Sequence, residues 1–350
     1  MIYIGTDAGI YRWIKGTWPI FHSLQGTAVV DLAAADGGVL VAVDAAGRVL
    51  ETVDNGQNWR EVAPPEGVGR PVATAMLGSP SAHVVAAKGG GLWARPAGVD
   101  PSAGGGGLRA AEGRAAALVN RTLHRATRGR LGEAASAEVA RASGWSPLAG
   151  PTGQVRALSA GPGGSLPYFA AVEGQGLWRS DDGVAYEHVN GTPAEVYAVR
   201  VAGQQVALAT SDGCWVSADG GKTFQDMSEG LGASRHVRAL DIKPGNPKVM
   251  LAGAAPGAPG EGPVAPRGGL QFALYETKDG GKTWGHVKRG FPEVLEYDTI
   301  ADIRFDPVEP EYAAVALGSG ELWSTRSDGL WWEPLARQIK TARVLCATAT

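Results

Sequence analysis

Cysteine is nearly absent. Cys214 and Cys346 are the two in 350 residues, which excludes a disulfide framework, and neither has metal-ligand spacing. Both lie in apolar runs and are expected as buried free thiols. The six histidines are scattered, with no His-x-x-x-His pair, so no metal site is expected. Gly104 to Gly107 lacks the Lys-Ser/Thr of a phosphate loop, and no Gly-x-Ser-x-Gly elbow occurs. No cofactor is expected. No apolar run approaches the roughly 18 residues of a membrane helix. Met1-Ile2-Tyr3-Ile4-Gly5 has no basic region and no long apolar core, so it reads as a strand rather than a leader. A cytoplasmic location is the expectation. Charged residues are 19% and the net charge is −3, which gives no pull towards nucleic acid or an anionic membrane.

Glycine and proline are plentiful, at 52 and 22, and they punctuate short apolar runs as turns do. The runs repeat. One set opens each unit: Val29-Val30-Asp31-Leu32, Val72-Ala73-Thr74-Ala75, Val155-Arg156-Ala157-Leu158, Val196-Tyr197-Ala198-Val199, Val237-Arg238-Ala239-Leu240 and Ile300-Ala301-Asp302-Ile303. A second phrase follows in most units: Gly9-Ile10-Tyr11, Gly91-Leu92-Trp93, Gly176-Leu177-Trp178, Gly213-Cys214-Trp215 and Glu321-Leu322-Trp323. The openings at 29, 72, 155, 196 and 237 include three intervals of 41 to 43 residues. Four short strands per forty-odd residues is the period of a propeller blade. The spacing predicts an all-β propeller of four-stranded antiparallel blades, one domain over 1–350, seven-bladed with eight as the alternative. Residues 2–21 supply three strands of a first blade. Ala342-Arg343-Val344-Leu345-Cys346-Ala347 supplies its missing inner strand and closes the ring, leaving no open edge.

Two intervals are too long. The first contains residues 98–143, where Arg-rich sequence predicts either an insertion in blade 3 or a degenerate extra blade. Between 109 and 145 there are seven Arg against three Glu. The second contains 253–269, a Pro/Gly/Ala stretch expected as a long loop on the ligand face.

Three segments share one pattern: Thr52-Val53-Asp54-Asn55-Gly56-Gln57-Asn58-Trp59, Ser217-Ala218-Asp219-Gly220-Gly221-Lys222-Thr223-Phe224 and Thr277-Lys278-Asp279-Gly280-Gly281-Lys282-Thr283-Trp284. An Asp accepting backbone N–H groups and a Gly at positive φ suit a tight turn. Asp54, Gly56, Trp59, Asp182, Asp219, Gly221, Phe224, Asp279, Gly281 and Trp284 are therefore read as structural. The pattern resembles the Asp-box, or BNR repeat, of sialidases, photosystem II assembly factors and sortilin-type propellers. In those families the box lies away from the ligand face.

The ligand face carries the turns between second and third strands and the loops between blades. It offers Asp7, Asp44, Glu173 and Asp212 in the former. The latter offer His22, Arg70, Arg235, His236, Glu293, Glu296, Tyr297, Asp298, Arg337 and Lys340. For catalysis the candidates are Asp7, Asp212, Glu293, Glu296, Tyr297 and Asp298. For binding they are Arg235, His236, Arg337 and Lys340. A sialidase resemblance implies an arginine trio and an early Phe/Tyr-Arg-Ile-Pro motif. Tyr11-Arg12-Trp13-Ile14 lacks the Pro and falls on a third strand. The expected function is a non-enzymatic, monomeric scaffold for a protein or carbohydrate partner, with a glycoside hydrolase at the channel mouth as the alternative.

Overall fold

The apolar runs become strands that are buried on both faces, because each blade is sandwiched between two others. The structure is a computed structural model. It describes residues 1–14, 17–35, 38–64, 69, 71–77, 82–87, 91–96, 145–161, 165–257, 271–296, 298–336, 339 and 342–347. These form seven four-stranded antiparallel sheets and no helix. With strands lettered A to D from the axis outwards, blade 1 is β28 (Ala342–Ala347), β1 (Ile2–Thr6), β2 (Gly9–Trp13) and β3 (Ile20–Ser23). Blade 2 is β4 (Val29–Ala35), β5 (Val39–Asp44), β6 (Val49–Thr52) and β7 (Arg60–Val62). Blade 3 is β8 (Pro71–Leu77), β9 (Ala82–Ala87), β10 (Leu92–Pro96) and β11 (Ser146–Leu148). Blade 4 is β12 (Val155–Gly161), β13 (Ser165–Val172), β14 (Gly176–Ser180) and β15 (Glu187–His188). Blade 5 is β16 (Val196–Ala202), β17 (Gln205–Thr210), β18 (Gly213–Ser217) and β19 (Gln225–Asp226). Blade 6 is β20 (His236–Ile242), β21 (Met250–Ala255), β22 (Ala273–Thr277) and β23 (Gly285–His286). Blade 7 is β24 (Ile300–Phe305), β25 (Ala313–Leu317), β26 (Leu322–Thr325) and β27 (Trp332–Ala336).

The ring closes as expected: Ile4 of β1 lies opposite Leu345 of β28. Each A strand neighbours the next, from β4 beside β8 round to β24 beside β28 and β28 beside β4. The eight-bladed alternative fails at blade 3. There Leu92 of β10 pairs with Leu148 of β11, so the strand after Trp145 belongs to an existing blade. Residues 97–144 fall in sequence between the third and fourth strands of blade 3. The predicted 98–143 segment lies outside the described residues. The predicted loop at 253–269 starts later than expected, since Gly253 to Ala255 complete β21, and 258–270 are outside the described residues.

Among the described residues the buried apolar side chains fall into seven clusters, one at each blade boundary. Phe272, Phe291 and Trp332 fill the boundary between blades 6 and 7; Phe169, Leu177, Val199 and Leu208 fill that between 4 and 5. This is why the second strands read as unbroken apolar runs: Ala313 to Leu317 are buried throughout, with nothing facing water. The core is a radial set of seams, each worth the burial of its large side chains, about 1.5–3 kcal/mol apiece.

Candidate binding site at the channel mouth

The A strands begin with a β-bulge. In six A–B pairs one residue is skipped by the register: Val30, Val72, Arg156, Tyr197, Arg238 and Ala301. The pairing of β28 with β1 skips Arg343 in the same way. A bulge frees a residue from the ladder and re-aims it. The six named first line a cavity of about 810 Å³ along the ring axis. They lie near the start of the A strands, at the end of the channel that carries the B–C turns and the loops between blades.

The rim is lopsided. Blades 2, 3 and 7 contribute Val30, Val72 and Ala301, while blades 4, 5 and 6 contribute Arg156, Tyr197 and Arg238. The guanidinium carbons of Arg156 and Arg238 lie 5.4 and 5.1 Å from the centroid of the Tyr197 ring. Cation–π attraction holds both. Arg156 Nη2 is 2.6 Å from Glu173 Oε1 and 3.1 Å from Glu195 Oε2. Arg238 has no carboxylate within ion-pair distance among the described residues. It reaches solvent through the channel, yet protein atoms crowd its guanidinium. That desolvation lowers its pKa, with the nearby charge of Arg156 adding to the effect and Tyr197 opposing it. An arginine stays charged nonetheless, so the mouth presents a cation that no carboxylate among the described residues neutralises.

Deeper in the channel the charges are balanced. Asp302 Oδ1 takes Arg200 Nη2 at 3.0 Å and Arg304 Nη1 at 2.9 Å. Its Oδ2 accepts the backbone N–H of Leu345. Asp241 Oδ2 accepts the backbone N–H of Phe305 at 2.8 Å, and its Oδ1 is 3.5 Å from Arg200 Nε. Both carboxyls staple one A strand to the next. Burial raises both pKa values, that of Asp241 to about 7, with Arg200 opposing.

The residues singled out from sequence are dispersed. Asp44 is buried and caps its own turn, accepting from Ala46 N, Arg48 N and Arg48 Nε. Asp212 and Asp226 share Arg235, at 2.6 and 2.8 Å, so Arg235 is engaged rather than free for a ligand. His236 is buried at the head of β20, against Tyr197 and Phe272, so it is a wall beneath the mouth and not a loop residue. Burial first, then Arg238, lowers its pKa to about 4. His22 lies inside β3, not in a loop between blades, with Nε2 2.6 Å from Asn55 O. Asp7 sits in the β1–β2 turn. The segment 293–298 forms no single acid cluster. Glu293 pairs with Lys288 at 2.8 Å, Glu296 is exposed, and Asp298 caps the backbone of Thr299 and Ser319. Arg70, Tyr297, Arg337 and Lys340 lie outside the described residues.

Sequence reading passed over Arg156, Tyr197, Arg200, Arg238 and Arg304, because they sat inside runs read as apolar strands. The signal was present. Val-Arg-Ala-Leu occurs at 155–158 and again at 237–240, a charge at one fixed place in an inner strand.

The Asp turns lie at the opposite end of the blades. Asp219 Oδ1 accepts from Lys222 N at 2.9 Å and Thr223 N at 3.0 Å, and Oδ2 from Thr223 Oγ1 at 2.7 Å. Asp54 and Asp279 make matching bonds to Asn58 and Thr283. Asp182 caps a shorter turn through Val184 N and Ala185 N. The aromatic after Asp279 ties two blades together: Trp284 Nε1 donates to Met227 O of blade 5 at 2.7 Å, whereas Trp59 Nε1 donates to Gly56 O of its own turn. Like Trp284, Trp145 Nε1 reaches a neighbouring blade, donating to Ala63 O of blade 2 at 2.8 Å.

No protein-family model matches the sequence, and no curated protein is detectably similar to it. Solved structures do resemble the fold. YCF48 bound to a D1 peptide superposes with a TM-score of 0.58 at 19% identity, over 93% of this chain and 89% of that one. YCF48 from Cyanidioschyzon merolae gives 0.54 at 15% identity, over 92% and 90%. The GH74 xyloglucanase from Xanthomonas campestris gives 0.62 at 16% identity, covering 96% of this chain and 52% of that one. At these identities the likeness is one of fold.

Proposed function

We infer that the chain is a non-catalytic binding propeller of the Asp-box type that takes an acidic protein segment at its channel mouth. The observation that carries this is the pair of guanidinium groups on Tyr197, one of them without a carboxylate partner among the described residues. Two cations held on one ring repel each other, and an incoming carboxylate relieves that while gaining charge-assisted hydrogen bonds. A peptide ligand is compatible with the fold, since the similarly folded YCF48 has a structure bound to a D1 peptide. The test is fluorescence anisotropy with two labelled 12-residue peptides, one Asp/Glu-rich and one Lys-rich. Preference for the acidic peptide, weakened at least tenfold in Arg238→Glu, supports the reading. Equal binding of both peptides overturns it.

One observation favours a hydrolase. Glu173 and Glu195 approach a single nitrogen of Arg156, so two carboxylates share the mouth, and retaining glycosidases hold such a pair about 5–5.5 Å apart. Against it, Arg156 pairs with both and leaves neither carboxylate free. Turnover of aryl glycosides that is lost in Glu173→Gln would establish the hydrolase; none is expected.

A further inference from the structure

The two arginines on Tyr197 differ in what stands opposite them. Arg156 follows Val155 and Arg238 follows Val237, and those valines pair with Val172 and Ala254. The next residue along is Glu173 in blade 4 and Ala255 in blade 6. Glu173 Oε1 accepts from Arg156 Nη2 at 2.6 Å, and Arg238 has no such counterpart. The turn does not require a carboxylate. Blades 2, 5 and 7 build the same bulge with Ala45, Ser211 and Gly318 at that position. Blade 1 repeats the blade 4 combination by position: Arg343 is the residue skipped by the register, and Asp7 follows Thr6. In blades 1 and 4 the acid accompanies an arginine at the bulge.

The contact between Glu173 and Arg156 is one that exchanges easily. The backbone of Glu173 is fixed, its N–H donating to Gln154 O at 2.8 Å. Among the described residues its carboxylate meets Arg156 alone. The Glu173 side chain is 45% exposed and that of Arg156 27%, and an ion pair open to water contributes little to stability. Glu195 is tied differently. Its Oε1 accepts the N–H of Gly174 at 3.0 Å, so it stays beside Arg156 whatever else comes and goes. Arg156 is also incompletely satisfied: its Nε is buried with no hydrogen-bond partner among the described residues. Glu173 bonds Nη2 only, whereas a carboxylate that takes Nε and Nη2 together makes the stronger two-bond geometry.

We propose that Glu173 is a built-in substitute for the ligand's carboxylate: it holds Arg156 in the free protein and yields it to an acidic side chain of the bound segment. Arg238, with no carboxylate opposite it among the described residues, receives the first acid. Arg156 receives a second once Glu173 has swung into solvent. The affinity of the mouth is therefore set by an exchange of carboxylates, and the Glu173 charge holds it below what the two arginines could reach. This rests on the reading of the mouth as a site for an acidic segment.

The test uses the full chain and the labelled Asp/Glu-rich and Lys-rich 12-residue peptides in fluorescence anisotropy. The variants are Glu173→Gln, Arg156→Met and the two combined, with circular dichroism and melting temperature as checks of folding; Arg156→Gln serves if Arg156→Met fails to fold. Glu173→Gln keeps the shape and removes the charge, and is expected to bind the acidic peptide at least about threefold more tightly than wild type. In the Arg156→Met background the gain should vanish, the double variant binding no more tightly than Arg156→Met. Both results together support the proposal. A gain below threefold, with the acidic peptide still preferred by wild type, overturns the exchange and leaves the mouth reading intact. A gain that persists without Arg156 is simple repulsion through space and also overturns it. Equal binding of the two peptides by wild type overturns the mouth reading, and the exchange with it.

Discussion

Asp302 accepts the backbone N–H of Leu345 at 3.0 Å, across the boundary between the last blade and the strand that closes the ring. The same carboxylate pairs with Arg200 and Arg304 in the channel wall, with Asp241 also facing Arg200. Ring closure and channel charge therefore meet at one side chain.

Asp302→Ala removes at once a carboxylate partner of two guanidinium groups and the acceptor of two backbone N–H groups, those of Ile303 and Leu345. Removing one partner of a buried ion pair typically costs about 3–5 kcal/mol. Urea denaturation is expected to show a loss in that range. A shift of less than about 1 kcal/mol would mean that water replaces the carboxylate at no cost.

Gly221 has φ of 83°, and a Cβ there would lie 2.5 Å from the Phe169 ring of blade 4. Phe169 is fully buried and has no room to withdraw. Gly221→Ala combines backbone strain with overpacking, and a destabilisation of about 2–3 kcal/mol is expected. An unchanged denaturation midpoint would show that the blade 4–5 boundary adjusts.

His83 is fully buried, and burial, with Arg95 adding to it, lowers its pKa to about 3. Its unfolded value is about 6.5. Between those values the unfolded chain binds the proton and the folded chain does not, so His83 lowers stability as pH falls from about 6.5 to about 3. His83→Leu removes this contribution. The stability–pH slope of the wild type should exceed that of the variant by about 1.4 kcal/mol per pH unit in that window. Equal slopes would show that His83 titrates normally. Asp241 acts in the opposite direction between about 4 and 7, because its folded pKa is raised to about 7. Comparing the two proteins cancels that contribution.

Tyr197 holds Arg156 and Arg238 on its ring face. Tyr197→Phe should keep acidic-peptide affinity within about twofold. Tyr197→Leu forfeits two cation–π contacts of about 0.5–1 kcal/mol each, a loss of roughly five- to thirtyfold in affinity. If Phe and Leu behave alike in the anisotropy assay, the ring does not organise the mouth.

The blade period, the closing strand and the Asp turns were legible in the chain because they are local. A turn needs Asp, Gly and an aromatic at fixed spacing, and a strand needs a short apolar run. The number of blades needed one long-range fact, the pairing of Leu92 with Leu148, which decides where Trp145 belongs. The candidate site was hardly legible. Glu293, Glu296 and Asp298 are neighbours in sequence, yet the fold engages Glu293 with Lys288 and spends Asp298 on a turn. Arg156 and Arg238 stand 82 positions apart in the chain and meet on one ring. The sequence alone determined a ring of four-stranded blades, because hydrophobic period and turn chemistry act over a few residues. Only the tertiary structure decided which charges converge and which are neutralised, because bulges at the same register of different blades turn distant residues into one channel.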